Sequence, residues 1–272
     1  MTGKIKNLDE IKEADINKGI LEQDYILEIY NDDYQSPFQC LKIETWEQLE
    51  WLIKETKIER ENGNFIFRGQ KDCHWKPISS LEREAKELTP KLISNHFKNF
   101  KKFARGRTNE QFILHKTGRE SEQRELWALG QHIGLKTPLL DWSWSIFVGL
   151  FFAFEEDRNE TPYRSVFCLN YERLCPDKDF INGVFEPIAD PIGRLTAQQG
   201  LFVMHNVIPR LIKGDITLSR KYLIAENLQK NIIDYLDFIG IKMETLFPDI
   251  YGAAKKANSI LFQEIYKHKK ER

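Results

Sequence analysis

Leu126 to Phe154 reads LWALGQHIGLKTPLLDWSWSIFVGLFFAF, and the rest of the chain is organised around this stretch. It holds two of the six tryptophans close together, Trp142 and Trp144, and closes on the apolar run Val148 to Phe154. One acid, Asp141, stands between Leu139-Leu140 and Trp142. A carboxylate set in so much apolar surface needs hydrogen bonds or a counter-charge, because burying it bare is costly. Two readings follow. Asp141 caps a helix expected to begin near Ser143, or it is a functional carboxylate in the kind of setting where such groups gather.

Upstream, Met1 to Gln23 is a polar leader of mixed charge without the apolar core of a signal peptide. Tyr25 to Tyr30 and Phe38 to Ile43 have the content of short strands, parted by Asn31-Asp32-Asp33. Thr45 with Gln48 forms a capping-box pattern, and Trp46, Leu49, Leu52 and Ile53 share one face of the helix it starts. An Asn-Gly-Asn turn leads to the strand Phe65-Ile66-Phe67, which delivers Arg68-Gly69-Gln70. Arginine is rarely buried unless paired, and glycine lets a ligand or another backbone come close. Arg68 therefore reads either as an internal ion pair or as an anion clamp, to which a guanidinium is suited.

Ser80 to Arg107 reads as helix, its aromatics on the apolar face and Lys91, Lys98, Lys101, Lys102, Arg105 and Arg107 interleaved. This is the pattern of a solvated amphipathic helix, although basic and aromatic residues together also suit nucleic acid. A further helix is expected over Ser121 to Gln131. Downstream come the strand Ser165 to Asn170 and an irregular stretch, Cys175 to Pro191, in which Glu186 is a second available carboxylate. Gln198-Gln199-Gly200 then leads into apolar sequence. Read as a strand, neighbouring glutamines face opposite ways, so one of them points into a given pocket. Leu223 to Ile239 reads as a long amphipathic helix, and another begins at about Tyr251.

With 272 residues and a formal net charge of -1, the chain is long enough for a real core and is not broadly polybasic. Four scattered cysteines suit reduced thiols and a cytoplasmic setting. The most apolar run, Ile146 to Phe154, is too short to span a membrane. There is no HExxH, no CxxC, no P-loop, no Rossmann glycine pattern and no G-x-S-x-G. His74 beside Cys73 lacks further ligands at metal spacing, so no metal site is expected.

Several motifs in order resemble the FRG domain family. They are Phe67-Arg68-Gly69-Gln70 with Trp75 and Ser79-Ser80-Leu81; Gln131-His132-Ile133-Gly134-Leu135; and Thr137 to Ser143 running into Leu150-Phe151-Phe152-Ala153. Arg194 to Phe202 and Leu246 to Asp249 look like that family's later blocks. The resemblance implies an N-terminal accessory segment over residues 1–44 and an FRG domain over residues 45–272. The family is more distantly similar to the ADP-ribosyltransferase fold, which implies an α+β domain with a split mixed sheet core and flanking helices.

What the resemblance implies for function is an NAD-dependent ADP-ribosyltransferase-like toxin or antiphage effector, with NAD as substrate and no metal. Arg68 would hold the pyrophosphate or the nicotinamide ribose, with Gly69, Gln70 and Thr137 in the same binding set. Asp141, Trp142 and Ser143 would line the nicotinamide pocket. Gln198 or Gln199 would stand where many relatives have glutamate. A glutamine brings no charge to a developing oxocarbenium ion, which moves attention to Asp141. His132, with a pKa suited to neutral pH, would orient a ribose or relay a proton. The acceptor would be a macromolecule, nucleic acid (RNA or DNA) or protein, and a toxin implies a neutralising antitoxin partner. Two alternatives stay open: a non-catalytic nucleotide- or partner-binding module, and a ribonuclease-like toxin using His132 and Asp141 as acid and base.

Overall fold

Eight strands form one mixed sheet in the computed structural model, which describes residues 29–30, 39–61, 65–85, 87–107, 120–156, 161–171, 183–207 and 219–270. In chain order they are β1 (Ile29–Tyr30), β2 (Gln39–Ile43), β3 (Phe65–Gln70), β4 (Leu139–Ser143), β5 (Tyr163–Asn170), β6 (Val184–Phe185), β7 (Gly200–Met204) and β8 (Ser219–Ala225). Their spatial order is β1-β2-β8-β5-β3-β4-β7-β6, with β2 and β8 parallel and every other pair antiparallel. The α+β class expected from sequence is what the chain forms. The leader through Gln23, the Asn31-Asp32-Asp33 and Asn-Gly-Asn turns, and the start of the Cys175 to Pro191 loop lie outside the described residues.

The sheet is nearly cut in two. Strands β3 and β4 share a single register pair, Phe67 with Ser143, whereas β3 meets β5 over its whole length and β4 meets β7 over its whole length. Five strands therefore lie on one side of the seam and three on the other. Strand β2, although inside the segment expected to be accessory, pairs residue for residue with β8 and is part of this sheet.

Nine helices are described: α1 (Trp46–Glu61), α2 (Ser80–Glu84), α3 (Pro90–Ala104), α4 (Glu120–His132), α5 (Ile146–Phe154), α6 (Arg194–Ala197), α7 (Gln229–Phe238), α8 (Met243–Leu246) and α9 (Ile250–Lys270). Helix α5 is apolar all round because it is buried all round. Val148, Leu150, Phe151 and Phe154 meet Phe67, Val166, Tyr222 and Ile224 of the larger sheet half, closed over by Leu49, Leu52, Ile232 and Leu236. On the smaller half, Trp127 and Ala128 of α4 cover Leu139 and Phe202, and Ile93 and Phe97 of α3 pack beside them. Ile66, Leu140, Trp142, Phe167 and Val203 form a third layer.

Four local expectations are corrected. Asp141 caps no helix: it sits within β4, and α5 begins at Ile146 behind Ser145, whose amide donates to Ser143 Oγ at 3.0 Å. Ser80 to Arg107 is two helices, because Thr89 caps a new one through the Leu92 amide and Pro90 occupies its first turn. Leu223 to Ile239 starts as strand β8 and turns helical only past Ala225, through a 3-10 turn over Glu226–Leu228 into α7 at Gln229. Gln198 and Gln199 are not on a strand. They form the turn between α6 and β7, with Gln199 at a left-handed φ of 46°.

Candidate active site

A cleft of about 1080 Å³ opens at the seam between β3 and β4. Its volume is at the upper end of the range for small-molecule sites, room for a ligand of dinucleotide size. Where the ladder ends, Arg68 reaches across the gap and its Nη1 donates to the Asp141 carbonyl at 2.6 Å. The same nitrogen lies 3.9 Å from Asp141 Oδ2, at the limit of an ion pair. The two side chains differ in setting: Arg68 is 18% exposed and Asp141 62%. Burial pulls the Arg68 pKa below its ordinary value, opposed by the Asp141 charge and reinforced by Arg83. Of the two sequence alternatives for Arg68, the internal ion pair is met only at the limit of its range.

Asp141 is held from the other side by Gln131, whose Nε2 donates to Oδ1 at 2.7 Å. The Gln131 amide has one orientation because its Oε1 accepts from the buried Thr137 hydroxyl. Thr137 is in turn fixed to the α2 start: its amide donates to Ser80 Oγ at 3.0 Å and its carbonyl accepts from the Leu81 amide at 3.1 Å. Thr137 therefore supports the cleft without lining it. Sequence reading placed Gln131 only within a motif; its neighbour His132 was the signal for its position at the end of α4.

His132 lines the cleft, its ring 6.0 Å from that of Phe202. Burial lowers its pKa, against the pull of Asp141 and Asp190, so the neutral ring is the resting form. His132 Nδ1, Arg68 Nε and Gln70 Oε1 are buried polar atoms with no partner among the described residues. Each such atom costs about 1–3 kcal/mol, and all three belong to residues lining this cleft. A polar ligand suits such a wall.

The remaining expected residues separate. Gly69, Gln70, Trp142, Ser143 and Gln198 line the cleft with Arg68, Asp141 and His132. Ser143 Oγ donates to the Gln198 carbonyl at 2.7 Å, joining β4 to the turn before β7. The Gln198 side chain is already engaged, donating to the Leu246 carbonyl at 2.9 Å. Gln199 is exposed and is not among the lining residues. Nor is Glu186, which accepts from Trp144 Nε1 at 3.1 Å.

Six lysine and arginine side chains line the cleft against three carboxylates. Lys71 pairs with Glu155 at 3.1 Å and Glu156 at 2.6 Å, and Lys255 pairs with Glu155 at 2.9 Å. Arg194 forms a two-point pair with Asp249, at 2.6 and 3.0 Å. Its guanidinium stands 5.2 Å from the Phe247 ring centre and Lys255 Nζ stands 4.7 Å from it. With Asp141 facing Arg68, the excess positive charge falls to Lys76 and Arg83, a balance that suits phosphates. At the rim, Asp72 Oδ1, Cys73 Sγ and the His74 ring lie within 4.8 Å of one another. The sequence reading had set His74 aside as lacking a third metal-type ligand; the turn supplies one in Asp72, which accepts from the His74 amide at 2.8 Å and lies 2.9 Å from Nδ1.

Residues 63–161, which include β3, α2 to α5 and β4, match the sequence model of the FRG domain. No curated protein and no solved structure matches the chain. Among the described residues, no helix is long and apolar enough to cross a membrane.

Proposed function

We propose that the seam cleft binds NAD and transfers its ADP-ribose to a macromolecular acceptor, as a toxin or antiphage effector would. The observation that carries this reading is the facing pair at the seam: a half-buried arginine with a buried, unpartnered Nε and an exposed carboxylate, across a cleft of dinucleotide size. In the reaction the C1′–N bond of NAD breaks and its electron pair leaves with neutral nicotinamide. Positive charge passes to the ribose, where Asp141 stabilises it. A nucleophile of the acceptor then bonds to C1′ and releases its proton. Arg68, supported by Lys76 and Arg83, holds the phosphates, and His132 in its neutral form accepts from or donates to a ribose hydroxyl. Asp141 is screened by water while the cleft is open, so its charge acts fully only once ligand covers it.

A second reading has its own support. Of the two glutamines that the resemblance sets where many relatives have glutamate, Gln198 lines the cleft, and its amide is taken up by the Leu246 carbonyl. A cleft without that carboxylate suits a module that binds a nucleotide and does not turn it over.

Incubating the protein with NAD while measuring nicotinamide release and, by calorimetry, binding separates the two. Release carries the transferase reading; saturable binding without release carries the binding module; neither rejects both. Arg68→Lys keeps the charge but loses the planar fork. NAD affinity in a folded Arg68→Lys protein is expected to fall by about 1–3 kcal/mol, and an unchanged affinity removes Arg68 from the site.

A further inference from the structure

From Leu88 to Asn109 the sequence contains Lys91, Lys98, Lys101, Lys102, Arg105 and Arg107 and no acid at all, in a chain whose formal net charge is -1. Ordinary solvated helix faces mix both signs. The fold sorts these charges further. Helix α3 turns Ile93, Phe97 and Phe100 toward α4, and Lys91, Lys98 and Lys102 fall on the opposite face at spacings of seven and four. All three are exposed, as are Arg105 and Arg107. At 1.5 Å per residue the stripe from Lys91 to Lys102 runs about 17 Å, long enough to meet several successive phosphates of one strand.

This stripe adjoins the cleft. His96 of α3 bonds through Nε2 to the Lys136 carbonyl at 2.8 Å, and Lys136 Nζ pairs with Glu84 of α2 at 2.9 Å. The preceding residue, Arg83, lines the cleft, as do Lys76 and Trp75 on the loop before α2. Trp75 is 44% exposed. An indole with that much exposed surface at the rim of a cationic cleft can offer a base a stacking surface, and stacking plus a backbone-tracking positive groove is how single strands are held.

We infer that the acceptor is a single-stranded polynucleotide, tracked by the basic face of α3 and presented to the cleft over Trp75. The inference rests on the transferase reading, but its test does not need NAD. Fluorescence anisotropy with a labelled single-stranded oligonucleotide, in a salt series and without NAD, reads the surface directly. Log affinity is expected to fall linearly with log salt. Lys98→Glu with Lys102→Glu is expected to weaken binding at least tenfold and to shrink the slope by about 1.4, at about 0.7 per lost phosphate contact. Lys98→Gln with Lys102→Gln, checked for an unchanged melting temperature, shows the slope change without charge reversal. Trp75→Ala is expected to weaken binding about tenfold or more while leaving the slope alone. Oligonucleotide affinity and slope unchanged in the lysine variants overturn the inference, as does capture of phosphatidylserine vesicles by a protein that ignores oligonucleotide. Strand binding without nicotinamide release rejects the transferase reading and keeps the surface; release without strand binding does the reverse.

Discussion

Asp141 is where chemistry and structure part on one atom. Gln131 donates to its Oδ1 and is itself oriented by Thr137, so asparagine can accept the same bond with its own Oδ1. Asp141 caps no helix and is mostly exposed, so Asp141→Asn is expected to leave the melting temperature nearly unchanged, as surface substitutions do. Nicotinamide release is expected to fall on the order of a hundredfold, the scale for removing one electrostatic stabiliser. A fully active Asn variant returns Asp141 to structure. His132 makes a second test. Its folded pKa lies below the ordinary 6.5 because burial disfavours the charged ring. Below that ordinary value the unfolded chain takes up the proton first, so the contribution to stability is present above it and is lost as pH falls. Wild type is therefore expected to lose more melting temperature than His132→Gln between pH of about 7.5 and 5.5; parallel losses sink the assignment. Arg68, Asp141 and His132 were legible because each breaks an apolar context. Lys71, Glu155 and Lys255 were not, since charged residues next to a motif look like any solvated residue.

At the scale of elements, Gly69 and Gly149 mark where helix α5 lies on strand β3. A Cβ on Gly69 would stand 1.9 Å from the Gly149 carbonyl oxygen and 2.7 Å from the Ala153 amide nitrogen, both backbone. The reading of Gly69 as a place of close approach holds, and what approaches is the α5 backbone. A Cβ on Gly149 meets side-chain atoms of Phe67 and Val166, each at 3.3 Å, and the Gly69 backbone nitrogen at an ordinary 3.8 Å. Gly69→Ala is expected to destabilise by about 1–3 kcal/mol or more. Gly149→Ala gains about 1 kcal/mol of helix propensity against mild crowding and should be close to neutral. Urea unfolding compares them, and equal losses contradict this account of the contact. Sequence reading missed strand β6, which lies inside the stretch read as irregular, and strand β8. Ile224, Leu228, Ile232 and Leu236 step by four, a helical signal that runs unbroken across the change from strand to helix. The polar Ser219-Arg220-Lys221 start concealed a buried strand, in which Lys221 is only 3% exposed with its Nζ 5.6 Å from the Phe167 ring centre.

At the scale of the whole molecule, the order of motifs was readable and their convergence was not. The FRG match ends at residue 161, yet Arg194, Gln198 and Phe247, from two later blocks, complete the same cleft. Local periodicity carries no information about which distant segments meet. The larger sheet half and α5 are joined at a buried hub that no motif announced. Arg164 of β5 is fully buried and pairs through Nε and Nη2 with Glu226, just past β8. Its Nη1 donates to the carbonyls of Ala153 and Glu156, at 2.7 Å each, holding the end of α5. Removing one member of a buried pair leaves the other's charge uncompensated, so Glu226→Ala is expected to cost about 3–5 kcal/mol. Arg164→Met combined with Glu226→Leu removes both charges together. Its loss is expected to fall short of the sum of the Arg164→Met and Glu226→Leu losses by about 1 kcal/mol or more, as contacting residues do. Because Glu155, the partner of both Lys71 and Lys255, caps the end of α5, the same Glu226→Ala change is also expected to weaken cleft binding at temperatures where the chain is still folded. Chemical denaturation of the four variants checks the first part and calorimetry with NAD the second. An additive double variant, or a Glu226→Ala loss well under 1 kcal/mol, would mean that the hub is screened and that α5 is held by apolar packing alone.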